Sequence, residues 1–207
     1  DADQTDLIRF VACMSGSALE PPPTCGGTSP PISPIPPRPA EAMTGSAFVN
    51  EVLNFTLASR EARIREEIIH GNIPDFLRTF VPIQVSASID GTLHTIVYEV
   101  MPDYLCIGSN DDFVHFPMMP TTAQIIADKF ECMLTTRKMT NDIYSQAQVK
   151  VAPSPINPNT TDITKVSTFY QHHLTIESQR AGRPLNLLIG GIKKDVVVTV
   201  QLPTRVG

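Results

Sequence analysis

Pro82-Ile83-Gln84-Val85-Ser86-Ala87-Ser88-Ile89-Asp90-Gly91-Thr92-Leu93-His94-Thr95-Ile96-Val97-Tyr98-Glu99-Val100 reads as two strands joined by a two-residue turn. Asp-Gly tolerates the left-handed backbone of a tight hairpin, so residues 82–89 and 92–100 are expected to pair antiparallel. In the second arm Leu93, Thr95, Val97 and Glu99 alternate with His94, Ile96, Tyr98 and Val100, and the second set is the expected core face. Downstream, residues 103–109 and 113–118 read as two shorter strands linked by Ser109-Asn110-Asp111-Asp112.

Helical patterning surrounds this β-rich middle. Ser46 to Leu53 is one expected piece, and a second begins near Ser59, with Ile64, Ile68 and Ile69 set against Arg60, Arg63, Arg65, Glu66 and Glu67. Gly71-Asn72 ends it, and residues 74–80 suggest a short helix opened by proline. Thr121-Thr122-Ala123-Gln124 fits a capping box, with Ile125, Ile126 and Phe130 as the apolar face. Thr135 or Thr136 opens the next helix, carrying Met139, Ile143 and Ala147, and a strand follows at 148–152. The last helix spans about 166–181, with Val166, Phe169, Tyr170, His173, Leu174 and Glu177 on one stripe. Strands are expected at 7–13, 186–192 and 195–202, and nine prolines fall within residues 20–40. The expected fold is α+β, a mixed or antiparallel sheet packed by four to five helices. Residues 1–44 form an N-terminal strand and Pro-rich arm, and 45–207 a single domain.

The 207 residues are 42% hydrophobic, enough for a sizeable core, and carry a net charge of -5. Without a basic cluster, nucleic acid and anionic membrane surfaces are not expected partners, and no apolar run reaches the roughly 18 residues of a membrane span. The opening Asp-Ala-Asp-Gln reads as a mature terminus left by processing, and a secreted, extracellular location is expected. Four cysteines, Cys13, Cys25, Cys106 and Cys132, suggest two disulfides. Three connectivities exist. Cys13–Cys25 would clamp the Pro-rich segment, leaving Cys106–Cys132 by elimination, and the alternative keeps Cys106 and Cys132 as buried thiols. Sequons begin at Asn54, in an apolar helical stretch, and at Asn159, in a polar loop.

The most suggestive polar feature is His172-His173, with Glu177 one turn beyond His173. A carboxylate beside an imidazole orients it and favours its charged form, so His172, His173 and Glu177 are the candidate catalytic residues. His173 and Glu177 could also supply two metal ligands, but the local sequence holds no third, and neither metal nor cofactor is expected. Asp111-Asp112 lacks the ligand spacing of a calcium loop, Lys193-Lys194-Asp195 reads as a solvated turn, and Cys132 is a conceivable nucleophile without a visible partner.

Several stretches resemble an uncharacterised family of secreted bacterial and fungal proteins. They are Gly71-Asn72-Ile73-Pro74-Asp75-Phe76-Leu77-Arg78, Pro102-Asp103-Tyr104-Leu105 with Ile107-Gly108-Ser109, Thr122-Ala123-Gln124 with Ile126-Ala127-Asp128, and Thr136-Arg137-Lys138-Met139. His172, Arg180 and Lys193-Lys194-Asp195-Val196-Val197 continue the likeness, which covers roughly residues 45–202. It implies secretion and a shared fold, without an activity. Ile192 stands where the family places a histidine, and the family continues past Gly207, so a closing segment is expected to be missing here. The expected function is an extracellular hydrolase acting on a glycan or peptide polymer. The alternative is a non-enzymatic interaction module or assembly subunit that docks, on its own copies among others, through the Pro-rich arm or terminal strands.

Overall fold

A computed structural model describes residues 35–191. The expected strands at 7–13 and 195–202, most of the Pro-rich window, Cys13, Cys25 and Lys193-Lys194 lie outside the described residues. In chain order the elements are α1 (Gly45–Val52), α2 (Leu57–Ile69), a 3-10 turn (Asp75–Arg78), β1 (Val81–Ile89), β2 (Thr92–Val100), β3 (Cys106–Gly108), β4 (Phe113–His115), α3 (Pro120–Lys129), α4 (Arg137–Gln146), β5 (Val149–Lys150), α5 (Val166–Arg180) and β6 (Ile189–Gly190). The class is α+β. The strands form three separate two-stranded ribbons: β1–β2 and β3–β4 antiparallel, β5–β6 parallel. No helix among the described residues is long and apolar enough to cross a membrane.

The hairpin forms as its sequence dictates. Ile89 pairs with Thr92 around Asp90 and Gly91, both at positive φ, and the inward face of β2 is His94, Ile96, Tyr98 and Val100. Only the base of the hairpin is buried, where Ile83 and Val100 pack with Ala147 and Leu188. Leu93, 63% exposed, and Val97, 56% exposed, lie on the opposite face.

Helix starts follow side-chain chemistry. Thr44, Thr56 and Thr136 each accept the backbone N–H of the third residue of α1, α2 and α4. Thr56 therefore starts α2 before Ser59, and Asn54 sits in the exposed turn preceding it. The expected capping box of α3 does not form. The helix begins at Pro120, and both oxygens of Glu61, from α2, accept the Met119 N–H instead. A buried carboxylate at that N-terminus does the cap's work from another helix. Ile125 is 44% exposed and Leu174 42%, so neither joins the core as expected; Ile176 is buried on α5 in its place.

The main core gathers Phe48, Val52, Ile64, Ile68, Ile73, Leu77, Ile107 and Val114, with α5 closing over α1 and β4. Each such side chain contributes about 1.5–3 kcal/mol through removal from water. Gly71-Asn72-Ile73 explains its own composition. Gly71 has φ +88°, and a Cβ there would stand 2.7 Å from the Pro36 carbonyl oxygen. Buried Asn72 donates to the Met43 carbonyl and to Glu67, and accepts from Arg38. Arg78 donates to the carbonyls of Pro36, Gly71, Ile73 and Pro74. Residues 35–44, the end of the Pro-rich segment, are thereby fastened to the domain.

Cys106 and Cys132 are free thiols, so the bond expected between them is not formed. Cys106 faces the core from β3, whereas Cys132 follows α3 and its thiol donates to the Phe130 carbonyl. Burial pushes both thiols above the usual range, Cys106 most strongly, which disfavours the thiolate a nucleophile needs.

Candidate functional site

Two elements meet at the site. β4 alternates: Val114 enters the core while Phe113 and His115 face α5. On α5, His173, Glu177 and Arg180 stand at i, i+4 and i+7, one face of a helix. Their meeting places His115 Nδ1 3.0 Å from His173 Nδ1 and 4.0 Å from Glu177 Oε1. Behind His115, Asp103 Oδ1 lies 3.3 Å from Nε2, and the other Asp103 oxygen is ion-paired with Arg180. Phe113 walls the pair of imidazoles at ring distances of 5.6 and 5.7 Å, and Tyr170 stacks on His173.

The electrostatics follow from enclosure. The Asp103 side chain is fully buried and that of Arg180 4% exposed. Burial alone would raise the Asp103 carboxyl, but His115, Arg180 and the Tyr104 N–H hold it below its ordinary value. His173 is pushed down to about 4 by burial and by His115. It is therefore neutral at pH 7, contrary to the charged imidazole expected beside Glu177. Its Nδ1 accepts the His115 backbone N–H at 3.4 Å, so that nitrogen carries a lone pair. Burial raises the Glu177 carboxyl, with Arg180 and His115 acting the other way. Glu177 Oε1 is enclosed without a hydrogen-bond partner, while Oε2 lies 3.3 Å from Arg180 Nε.

The expected triad divides. His173 and Glu177 come together, and His172 does not join them. Its Nε2 lies 2.9 Å from the Ser154 carbonyl oxygen, on a face of α5 bordering a groove of about 490 Å³ with Ser154, Ile156, Gln171 and Thr175. The third partner absent from the local sequence is His115, 58 residues before His173. His115, His173 and Glu177 each offer one ligand atom, all within 4.8 Å of one another, a grouping that could hold a metal ion. Arg180, seven residues after His173 on the same helix, was within reach of periodicity, but nothing in the sequence linked Asp103 to that face. His115 had only its alternation with Phe113 as a signal.

The remaining candidates serve other ends. Asp112 accepts the Ser46 N–H and hydroxyl at the start of α1, so its oxygens are engaged in capping. The Cys132 thiol is engaged by the Phe130 carbonyl, to which it donates. Asn54 and Asn159 are both exposed. Compared with protein-family models, curated proteins and solved structures, the chain finds no match.

Proposed function

We propose that this chain is an extracellular hydrolase of a glycan or peptide polymer, with its reaction centre at His115, His173 and Glu177. The observation that carries the reading is the convergence of two imidazoles and a carboxylate at 3.0 and 4.0 Å, backed by the Asp103–Arg180 pair. Enclosing five polar side chains between β4 and α5 works against stability, because apolar residues of similar volume would fill the space without desolvating charge. Such expenditure is characteristic of sites whose groups must be tuned for proton transfer. The groove beside His172 lies on another face of α5 and is not lined by His115, His173 or Glu177, so the reading rests on the polar cluster and not on that groove. Residues 35–44, the described end of the Pro-rich arm, are fastened to their own domain, so that stretch is not free to dock elsewhere. Exposed sequons at Asn54 and Asn159 support an extracellular setting, which glycan release from the natural protein would test.

The test is a panel of polysaccharides and denatured proteins, followed by release of reducing ends or of amines. Turnover of one class is expected, falling about 100-fold or more in His173→Ala and Glu177→Gln. Equal activity in those folded variants, or none in the wild type against either class, would overturn the reading.

A further inference from the structure

We infer that His115 Nδ1, His173 Nδ1 and Glu177 Oε1 bind a divalent transition-metal ion of the zinc class, leaving one position for water or substrate. The inference deepens the proposed reaction centre and rests on that reading for its use. Its chemistry stands on the geometry alone.

The first argument concerns lone pairs. Arg180 neutralises the buried Asp103 carboxylate, and that carboxylate faces His115 Nε2 at 3.3 Å. The negative charge there favours the hydrogen on Nε2, although Nε2 is not aligned with Asp103 as a hydrogen bond, and that tautomer puts a lone pair on His115 Nδ1. His173 Nδ1 carries a lone pair, engaged by the His115 backbone N–H in a bond of 3.4 Å that an ion would displace. Two lone pairs then face each other at 3.0 Å in a buried place, with a partnerless carboxylate oxygen 4.0 Å from one of them. In that tautomer only the long bond from the His115 N–H offsets their mutual repulsion, which a cation among them would relieve.

The second argument is metric. Nitrogen ligands about 2.0–2.1 Å from a tetrahedral ion stand about 3.3 Å apart, close to the spacing of the two imidazoles. Two histidines and a carboxylate are a donor set suited to zinc and its neighbours rather than to calcium or magnesium. Asp103 sits where an outer carboxylate orients a metal-bound histidine through its other ring nitrogen, and Arg180 fixes that carboxylate. With that pair cancelling, Glu177 is the carboxylate of the set that faces the two imidazoles. A bound ion of this class would supply an acidic water, the nucleophile that hydrolysis needs.

A proton shared between the imidazoles is the competing occupant, and the test separates the two. The full chain, stripped with a chelator, is titrated with Zn²⁺ alone by calorimetry, and bound Co²⁺ is read by its visible absorption. Saturable 1:1 binding is expected, weakened at least about 100-fold in His173→Ala and about 10–100-fold in Asp103→Asn, where the outer partner is lost. Glu177→Gln preserves shape, so its weaker binding reports a lost ligand even where His115→Ala fails to fold. His94→Ala, on the hairpin, should bind as the wild type does. No saturable binding overturns the inference. So does binding that survives His173→Ala and disappears on thiol alkylation, which assigns the metal to cysteine. A chain that binds zinc but hydrolyses nothing keeps the site and overturns the hydrolase reading. Hydrolysis indifferent to chelation does the reverse.

Discussion

Asn72 shows how one side chain can hold three parts of the chain. Its amide joins residue 43, α2 and Arg38, and it is 1% exposed. Asn72→Ala would take one donor each from Glu67 and the Met43 carbonyl and one acceptor from Arg38, and would open a small cavity where Asn72 is buried. A loss of about 3 kcal/mol is expected, read as a lower urea midpoint with an unchanged slope. Asp112 carries a pH signature. Burial tends to raise its carboxyl, but bonds from the Ser46 hydroxyl and N–H outweigh this and hold it below the ordinary value. A depressed folded-state pKa adds stability above the unfolded value of about 4, and that stability drains away as pH falls through the folded value. Asp112→Asn should therefore cost about 1 kcal/mol at pH 7 and progressively less in acid, measured by urea unfolding across that range.

At the scale of elements, the hairpin is anchored at one end only. Ile83 is fully buried beside Val100, whereas Leu93 projects near the turn. Ile83→Ala should cost about 2–5 kcal/mol through a cavity, and Leu93→Ala less than about 0.5 kcal/mol, as thermal unfolding of both variants would show. Amide exchange should be fast near Asp90 and slow near Val100. This element was the most legible in the sequence because its signals are local: alternation along a strand and Asp90-Gly91 at the turn. The start of α3 was illegible for the opposite reason. Its N-terminus is satisfied by Glu61, 58 residues away, and a local capping box competes in vain with that buried carboxylate.

Across the whole molecule the same division holds. The helix face joining His173 to Glu177 follows from periodicity, so that half of the site could be read from the chain. His115 and Asp103 enter by way of tertiary packing between β4 and α5, which no spacing rule encodes, and His172 was drawn in merely by adjacency. The pairing of Cys106 with Cys132 failed for a related reason: an even count invites pairing, yet pairing depends on where two elements place their sulfurs. Their separation supplies a probe of how the domain opens. Cys106 is fully buried in the main core, while Cys132 is half-buried at the end of α3. A thiol reagent at pH 8 should therefore modify Cys132 through local fraying, at a rate independent of overall stability. Cys106 should react only when the core opens, so its labelling should accelerate in Asn72→Ala by about 100-fold, the factor set by that variant's loss of stability when opening is at equilibrium. Peptide mass mapping over a labelling time course assigns each thiol. Equal acceleration of both would mean that α3 and the core open together, and that β3, with the His115 pairing it supports, is no more protected than the end of that helix.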